Sequence, residues 1–194
     1  MSSPTADRIV AVARSVLVEE GVGAVSMRRI ATAVGITPMA IYRHFPNREA
    51  LLDTIANISF AELGEKWANP GLNDNFDALI TRSLNQYLDF ALGEPNLYFF
   101  LFTEHRDQAR RFPADFADGA SPTFNLLISG INAAIRVGLL PEDEDVLPLA
   151  LILAAELHGL VQLYHGGRIG MPEPEFREFC HRAVRRILNA ENTR

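Results

Sequence analysis

One cysteine, Cys180, is present in 194 residues, so no intramolecular disulfide can form and a reducing, cytoplasmic setting is expected. Met1 to Asp7 offers no basic start followed by an apolar run, so no secretory leader is expected. Long apolar runs are also missing. The most apolar stretch, Leu147 to Ala155, meets Glu156 and His158 and falls short of the roughly 20 residues needed to span a bilayer. No membrane partner is expected. Neither an internal repeat nor a convincing alternating strand pattern occurs, which argues against a sheet protein. The chain has no phosphate-cradling glycine loop, nucleophile elbow, His-Glu-x-x-His helix or cysteine cluster. Glu104-His105, Glu156 with His158, and His165 have no tight ligand spacing. The expectation is therefore no enzyme, no metal and no cofactor.

One absence is local. Between Ser26 and Arg48 there is no aspartate or glutamate, while Arg28, Arg29, Arg43 and Arg48 are present. That segment carries +4 in a chain of net charge −6, which leaves −10 for the rest. A basic block on an acidic body can bind phosphate locally while the body keeps the protein in solution. A solvated surface would carry the same charges.

What is present is helical periodicity. Ser3-Pro4 or Thr5 starts a first helix, with Ile9, Val12, Ala13, Val16 and Leu17 as its apolar stripe and Gly21 as its end. Ser26 caps a second helix whose inward face is Ile30, Ala31 and Val34, and Gly35 suits the turn that follows. Thr37-Pro38 starts a third helix predicted to run to His44, with Ile41 and Phe45 inward. Pro46-Asn47 breaks and caps again before a fourth helix from Arg48, with Leu51, Leu52 and Ile55 buried. Two short helices around a glycine turn match the helix-turn-helix pattern, and equally an ordinary helical hairpin. Asn69 to Asp74 is a predicted break, and Asp107 to Gly119 is predicted irregular. Helices are predicted over 75–92, 96–104, 122–137, 146–165 and 175–190. The fold class is therefore all-α.

Ile30-Ala31, Val34-Gly35-Ile36 and Ile41-Tyr42-Arg43-His44-Phe45, followed by Arg48 and Leu51, resemble the DNA-binding domain of the tetracycline-repressor (TetR) family over roughly residues 6–56. The resemblance implies an N-terminal three-helix domain, 1–56, and a helical sensing and dimerisation domain, 57–194. It implies a regulator, usually a repressor, that binds a palindromic operator in double-stranded DNA as a homodimer and answers to a small molecule. It also makes Thr37–His44 the recognition helix in the major groove. Two departures stand out: Arg48 where the family usually has lysine, and Met39 where many members have glycine. Leu157-His158-Gly159-Leu160 is similar to a Trp-x-x-x-His-Gly signature of some members, with Ala154 at the tryptophan position.

Side-chain chemistry sorts the expected DNA contacts. Ser26, Thr37, Tyr42, His44 and Arg48 suit phosphate. Arg28 suits a guanine edge, while Pro38, Met39 and Ala40 suit thymine methyl groups. Arg29 and Arg43 fit either DNA or solvent, and Tyr42 also fits a core. In the second domain, Trp67, Gln86, Phe90, Phe99, Phe102, Phe124, Asn125 and His158 are candidates for a largely apolar effector pocket. Aromatics at helical spacing are equally core residues, and His158 equally an interface residue. The stretch 146–165 is apolar on nearly every side, and a second copy of the chain would cover one of them. Leu147, Leu151, Ala154, Ala155, Gln162, Phe179, Ala183 and Ile187 are the expected dimer contacts. An interaction module that had lost DNA binding would carry acids in the second and third helices, and none are there.

Overall fold

The computed structural model describes residues 3–68, 76–117, 119 and 121–191. Among these residues there is no strand, and the fold is all-α. The helices are α1 (Pro4–Glu20), α2 (Met27–Val34), α3 (Pro38–Ile41), α4 (Arg48–Trp67), α5 (Phe76–Gly93), α6 (Pro95–Phe102), α7 (Ala114–Ala117), α8 (Pro122–Arg136), α9 (Val146–His165) and α10 (Glu173–Glu191). The predicted break at 69–74, and residue 75 with it, lies outside the described residues. The segment expected to be irregular holds the single turn α7.

Two compact units form, and no single cut in the chain separates them. One comprises Met1–Glu62 and Glu94–Ala109, the other Leu63–Gly93 and Arg110–Arg194. The division expected from sequence, 1–56 and 57–194, leaves 94–109 with the second part. In the structure α6 packs on α1, burying Leu97, Tyr98, Phe100 and Leu101, and this burial draws the stretch into the first unit.

In the first unit local chemistry sets each helix start. Ser3 Oγ accepts from Ala6 N at 3.2 Å, with Pro4 as the first helical residue. Ser26 Oγ accepts from Arg29 N at 3.3 Å, and Asn47 Oδ1 accepts from Ala50 N at 2.7 Å. Ile9, Ala13 and Leu17, four residues apart, form the wholly buried stripe of α1. Ile30, Ala31, Ile41, Leu51 and Ile55 meet the same core. Gly35 ends α2 in the left-handed region at φ 78°, where a side chain would be strained. Its N–H and that of Ile36 close on the carbonyls of Thr32 and Ala31 at 3.1 and 3.0 Å.

Arg48 supplies a tie that the sequence did not suggest. Its Nε donates to the Val25 carbonyl at 2.7 Å and its Nη2 to the Val22 carbonyl at 2.5 Å. These carbonyls belong to the 3-10 turn Val22–Ala24 and the residue after it. A planar fork meets both with two donors held in fixed geometry, whereas an ammonium would have to place a single nitrogen between them.

In the second unit α8 packs on α9, α9 on α10, and α5 on both α8 and α10. Gly64 is required where α4 approaches α8, because a Cβ there would lie 2.6 Å from Pro122 Cβ. Three histidines bond to α5. His158 Nδ1 lies 3.0 Å from Tyr87 Oη, His165 Nε2 donates to the Ala91 carbonyl at 2.9 Å, and His181 Nε2 bonds Asn85 Oδ1 at 2.9 Å. Helix α9 carries the apolar run within one continuous element, as core helices and membrane spans alike can do. At 20 residues it is long and apolar enough to cross a membrane by length and composition, although Glu156, His158 and His165 lie within it.

Two expectations follow. Arg48→Lys should lower the free energy of unfolding by about 1–2 kcal/mol, measured by urea titration, because one bridged carbonyl loses a charged donor. Burial pushes the His158 pKa down from 6.5 to about 4. The folded state then binds fewer protons than the unfolded one. This contribution is complete above pH 6.5 and is lost as pH falls towards 4. Between these values the protein should lose about 3 kcal/mol more stability than His158→Gln does.

Candidate nucleic-acid interface

A four-residue helix cannot stand alone in water. α3 stands because Thr37 Oγ1 accepts from Ala40 N at 3.1 Å, Pro38 fixes the first turn, and Ile41 and Phe45 are buried beneath it. The α-helix closes at Ile41, three residues short of the expected end at His44. Turns continue the winding, with His44 N–H and Phe45 N–H both reaching the Ile41 carbonyl at 3.0 Å.

This arrangement leaves the opposite side outward. Met39 is 74% exposed and Tyr42 49%, so neither belongs to the core. Thr37, Pro38 and Arg43 are exposed, Ala40 and His44 half-buried. His44 Nδ1 lies 3.4 Å from Ser3 Oγ at the start of α1. Ser26 and Arg28 are exposed at the first turn of α2. All ten residues expected at DNA fall in the first unit.

Two arginines take other partners. Arg29 forms a two-pronged ion pair with Glu20, one arm at 2.9 Å, and this hydrogen bond raises the arginine's pKa and lowers the carboxylate's. Arg48, expected at phosphate, directs Nε and Nη2 to Val25 and Val22, so its geometry is that of a tie under α4. Sequence reasoning missed Arg8, whose Nη2 donates to the Val34 carbonyl at 2.9 Å and holds α1 to the end of α2. The unpaired carbonyls at the end of α2 are the signal that could have found it.

The residues expected to line an effector pocket divide. Phe99 and Phe102 lie in the first unit, where Phe102 meets Phe60 edge-on at 5.4 Å. Trp67, Phe90 and His158 are linked in the second unit through Trp67 and Tyr87. Trp67 lies 6.3 Å from Tyr87 and 6.0 Å from Phe90, and Tyr87 lies 5.6 Å from His158, all edge-on. The Trp67 indole N–H is buried without a hydrogen-bond partner. Phe124 sits against Phe116 at 4.7 Å, and Asn125 Nδ2 donates to the Gly119 carbonyl at 2.6 Å. Gln86 donates to the Lys66 carbonyl at 3.3 Å and borders an open groove of about 620 Å³ along α5, between Asp77 and Asp89. Among the described residues no cluster of three or more His, Cys, Asp or Glu could hold a metal ion.

None of the eight expected dimer residues is fully buried. Leu151, Ala155 and Gln162 are exposed, while Leu147, Ala154, Phe179, Ala183 and Ile187 are half-buried. Ile152 and Leu163, 52% and 47% exposed, extend the same apolar surface of α9. Their spacing from Leu151 and Ala155 could have identified them.

Residues 9–55 match the model for bacterial regulatory proteins of the tetR family, and residues 80–187 match the model for the tetracyclin repressor-like C-terminal domain. No curated protein matches the chain. A protein of unknown function from Rhodococcus sp. RHA1 shares the fold at TM-score 0.78 and 24% identity, over 97% of this chain and 96% of that one. The fatty acid degradation regulator FadR from Bacillus halodurans matches at TM-score 0.73 and 14% identity, covering 97% and 96%. A TetR variant from Acinetobacter baumannii AYE, in complex with minocycline, matches at TM-score 0.63 and 16% identity, covering 94% and 93%. With its outward helix-turn-helix surface and both parts matched by family models, the chain belongs to the TetR family and is a DNA-binding transcriptional regulator.

Proposed function

We propose that this regulator is a cytoplasmic repressor that binds a palindromic operator as a homodimer and is released by a small, largely apolar effector. The observation that carries the DNA part is the exposed Met39 and Tyr42 on an acid-free turn whose other face is core. Pro38, Met39 and Ala40 offer only apolar surface, which suits thymine methyl groups. Arg28, exposed at the first turn of α2, suits a guanine edge. Ser26, Thr37, Tyr42, Arg43 and His44 surround them with groups that suit phosphate.

One chain presents one such surface, and two-fold pairing would present two, about one helical turn apart. The exposed apolar face of α9 supports that pairing, since uncovered Leu151, Ile152 and Leu163 are costly in water. The effector reading is supported by the Trp67–Tyr87–Phe90–His158 cluster, an apolar setting with a few polar atoms. One structural neighbour is described as a flavonoid-responsive regulator, FrrA, and another was solved with minocycline. An effector would act by binding two conformers unequally, and a coupling of about 1–3 kcal/mol is ordinary.

Selection from a random duplex pool should enrich a palindrome with thymines at the positions facing Met39. Replacing those thymines by uracil should weaken binding several-fold, and unchanged binding would remove the methyl contacts. Leu151→Glu should shift the protein from dimer to monomer in sedimentation and lower operator affinity at least about tenfold. A wild-type monomer would contradict the pairing.

A further inference from the structure

The family model for the DNA-binding part covers residues 9–55, yet the compact unit that holds it also contains Glu94–Ala109. Two polar ties fasten this remote stretch. Asn96 Nδ2 donates to the Val18 carbonyl near the end of α1 at 3.0 Å. Arg106 reaches α4: Nη1 lies 3.7 Å from Asp53 Oδ1, and the guanidinium sits 6.0 Å from the Phe60 ring centre. It also sits 5.4 Å from the ring centre of Phe100, with Nη2 3.4 Å from the Leu101 carbonyl.

The Arg106 side chain is only 11% exposed and that of Asp53 24%. Sinking a guanidinium this far is costly unless its partners are well placed, and apolar residues of the same volume would often stabilise as well or better. What a charge adds is direction. Asp53 and Phe60 stand seven residues apart, two turns along one face of α4. A cation 3.7 Å from Asp53 Oδ1 and 6.0 Å from the Phe60 ring centre meets that face at two levels, which bears on both the rotation and the axial position of the helix. The first turns of α4 follow directly from Phe45, the buried anchor of the α3 turn, and are tied to Val22 and Val25 by Arg48. Where α4 sits therefore decides where Met39 and Tyr42 point.

We propose that Arg106, outside the helix-turn-helix, is a positioning residue for DNA binding: clamped on Asp53 and Phe60, it sets α4 and thereby aims the Pro38–His44 turn. The proposal rests on that turn being the DNA-reading surface.

The test uses the full-length protein and DNA selected by the wild type. Arg106→Met keeps the apolar stem over the rings and removes the charge. Asp53→Asn keeps the shape and removes the acceptor charge, and it remains informative should Arg106→Met fail to fold. With helicity intact at the assay temperature, each variant should lower specific affinity about tenfold, and the double variant no further. Non-specific affinity and the salt slope should stay at wild-type values, because no phosphate contact is removed. Wild-type affinity in both variants alongside lowered melting temperatures would make the clamp structural only. A salt slope reduced by about 1 in Arg106→Met would place Arg106 on phosphate itself. Either result overturns the proposal. Failure of the wild type to enrich any DNA would overturn the reading surface first and the positioning role with it, which differs from a loss confined to the variants.

Discussion

The burial of Ile41 and Phe45 is the constraint from which the DNA-facing surface follows. A single turn of helix has too few internal hydrogen bonds to persist alone, so its conformation is set by what it sits on. With these two side chains inside, Met39 and Tyr42 are left facing outward. The wholly buried Ala31 lets the α2–α3 pair close tightly, and Gly35 makes the turn between them possible. Arg48 then fixes the next helix to the loop ahead of α2, so the element beneath the reading surface is held at its base.

Charge is distributed around this surface in a way that net charge conceals. The acid-free segment sits in an acidic chain, and one of its arginines is neutralised by Glu20 from α1. What remains for DNA is a small set of exposed groups, Arg28 and Arg43 among them, with hydroxyl and imidazole partners. Such a surface gains its affinity by being duplicated, which gives the exposed apolar face of α9 its significance in the proposed dimer.

Much of this was legible in the sequence because it rests on local rules. Ser3, Ser26, Thr37 and Asn47 mark their helix starts by side-chain chemistry, and each cap is formed. The buried stripes of α1 and α2 follow directly from periodicity. What could not be read depends on contacts between distant residues. Nothing near Arg48 announces that it will bridge two carbonyls, nor does its own neighbourhood announce that Arg106 will lie on α4. Likewise nothing near Phe99 and Phe102 announces that α6 will fall in the first compact unit. Periodicity says that a side chain is buried, and only tertiary packing says against what.

The central claim is that two copies of the Pro38–His44 turn enter the major groove with Met39 at the base edges. A photo-crosslinking residue at position 39, irradiated on selected DNA, tests it most directly, with the same residue in place of Ile58, exposed on α4, as the control. The account predicts crosslinks from position 39 at two symmetric base positions about one helical turn apart, and none from position 58. Crosslinks at a single site, or from position 58 instead, would contradict it.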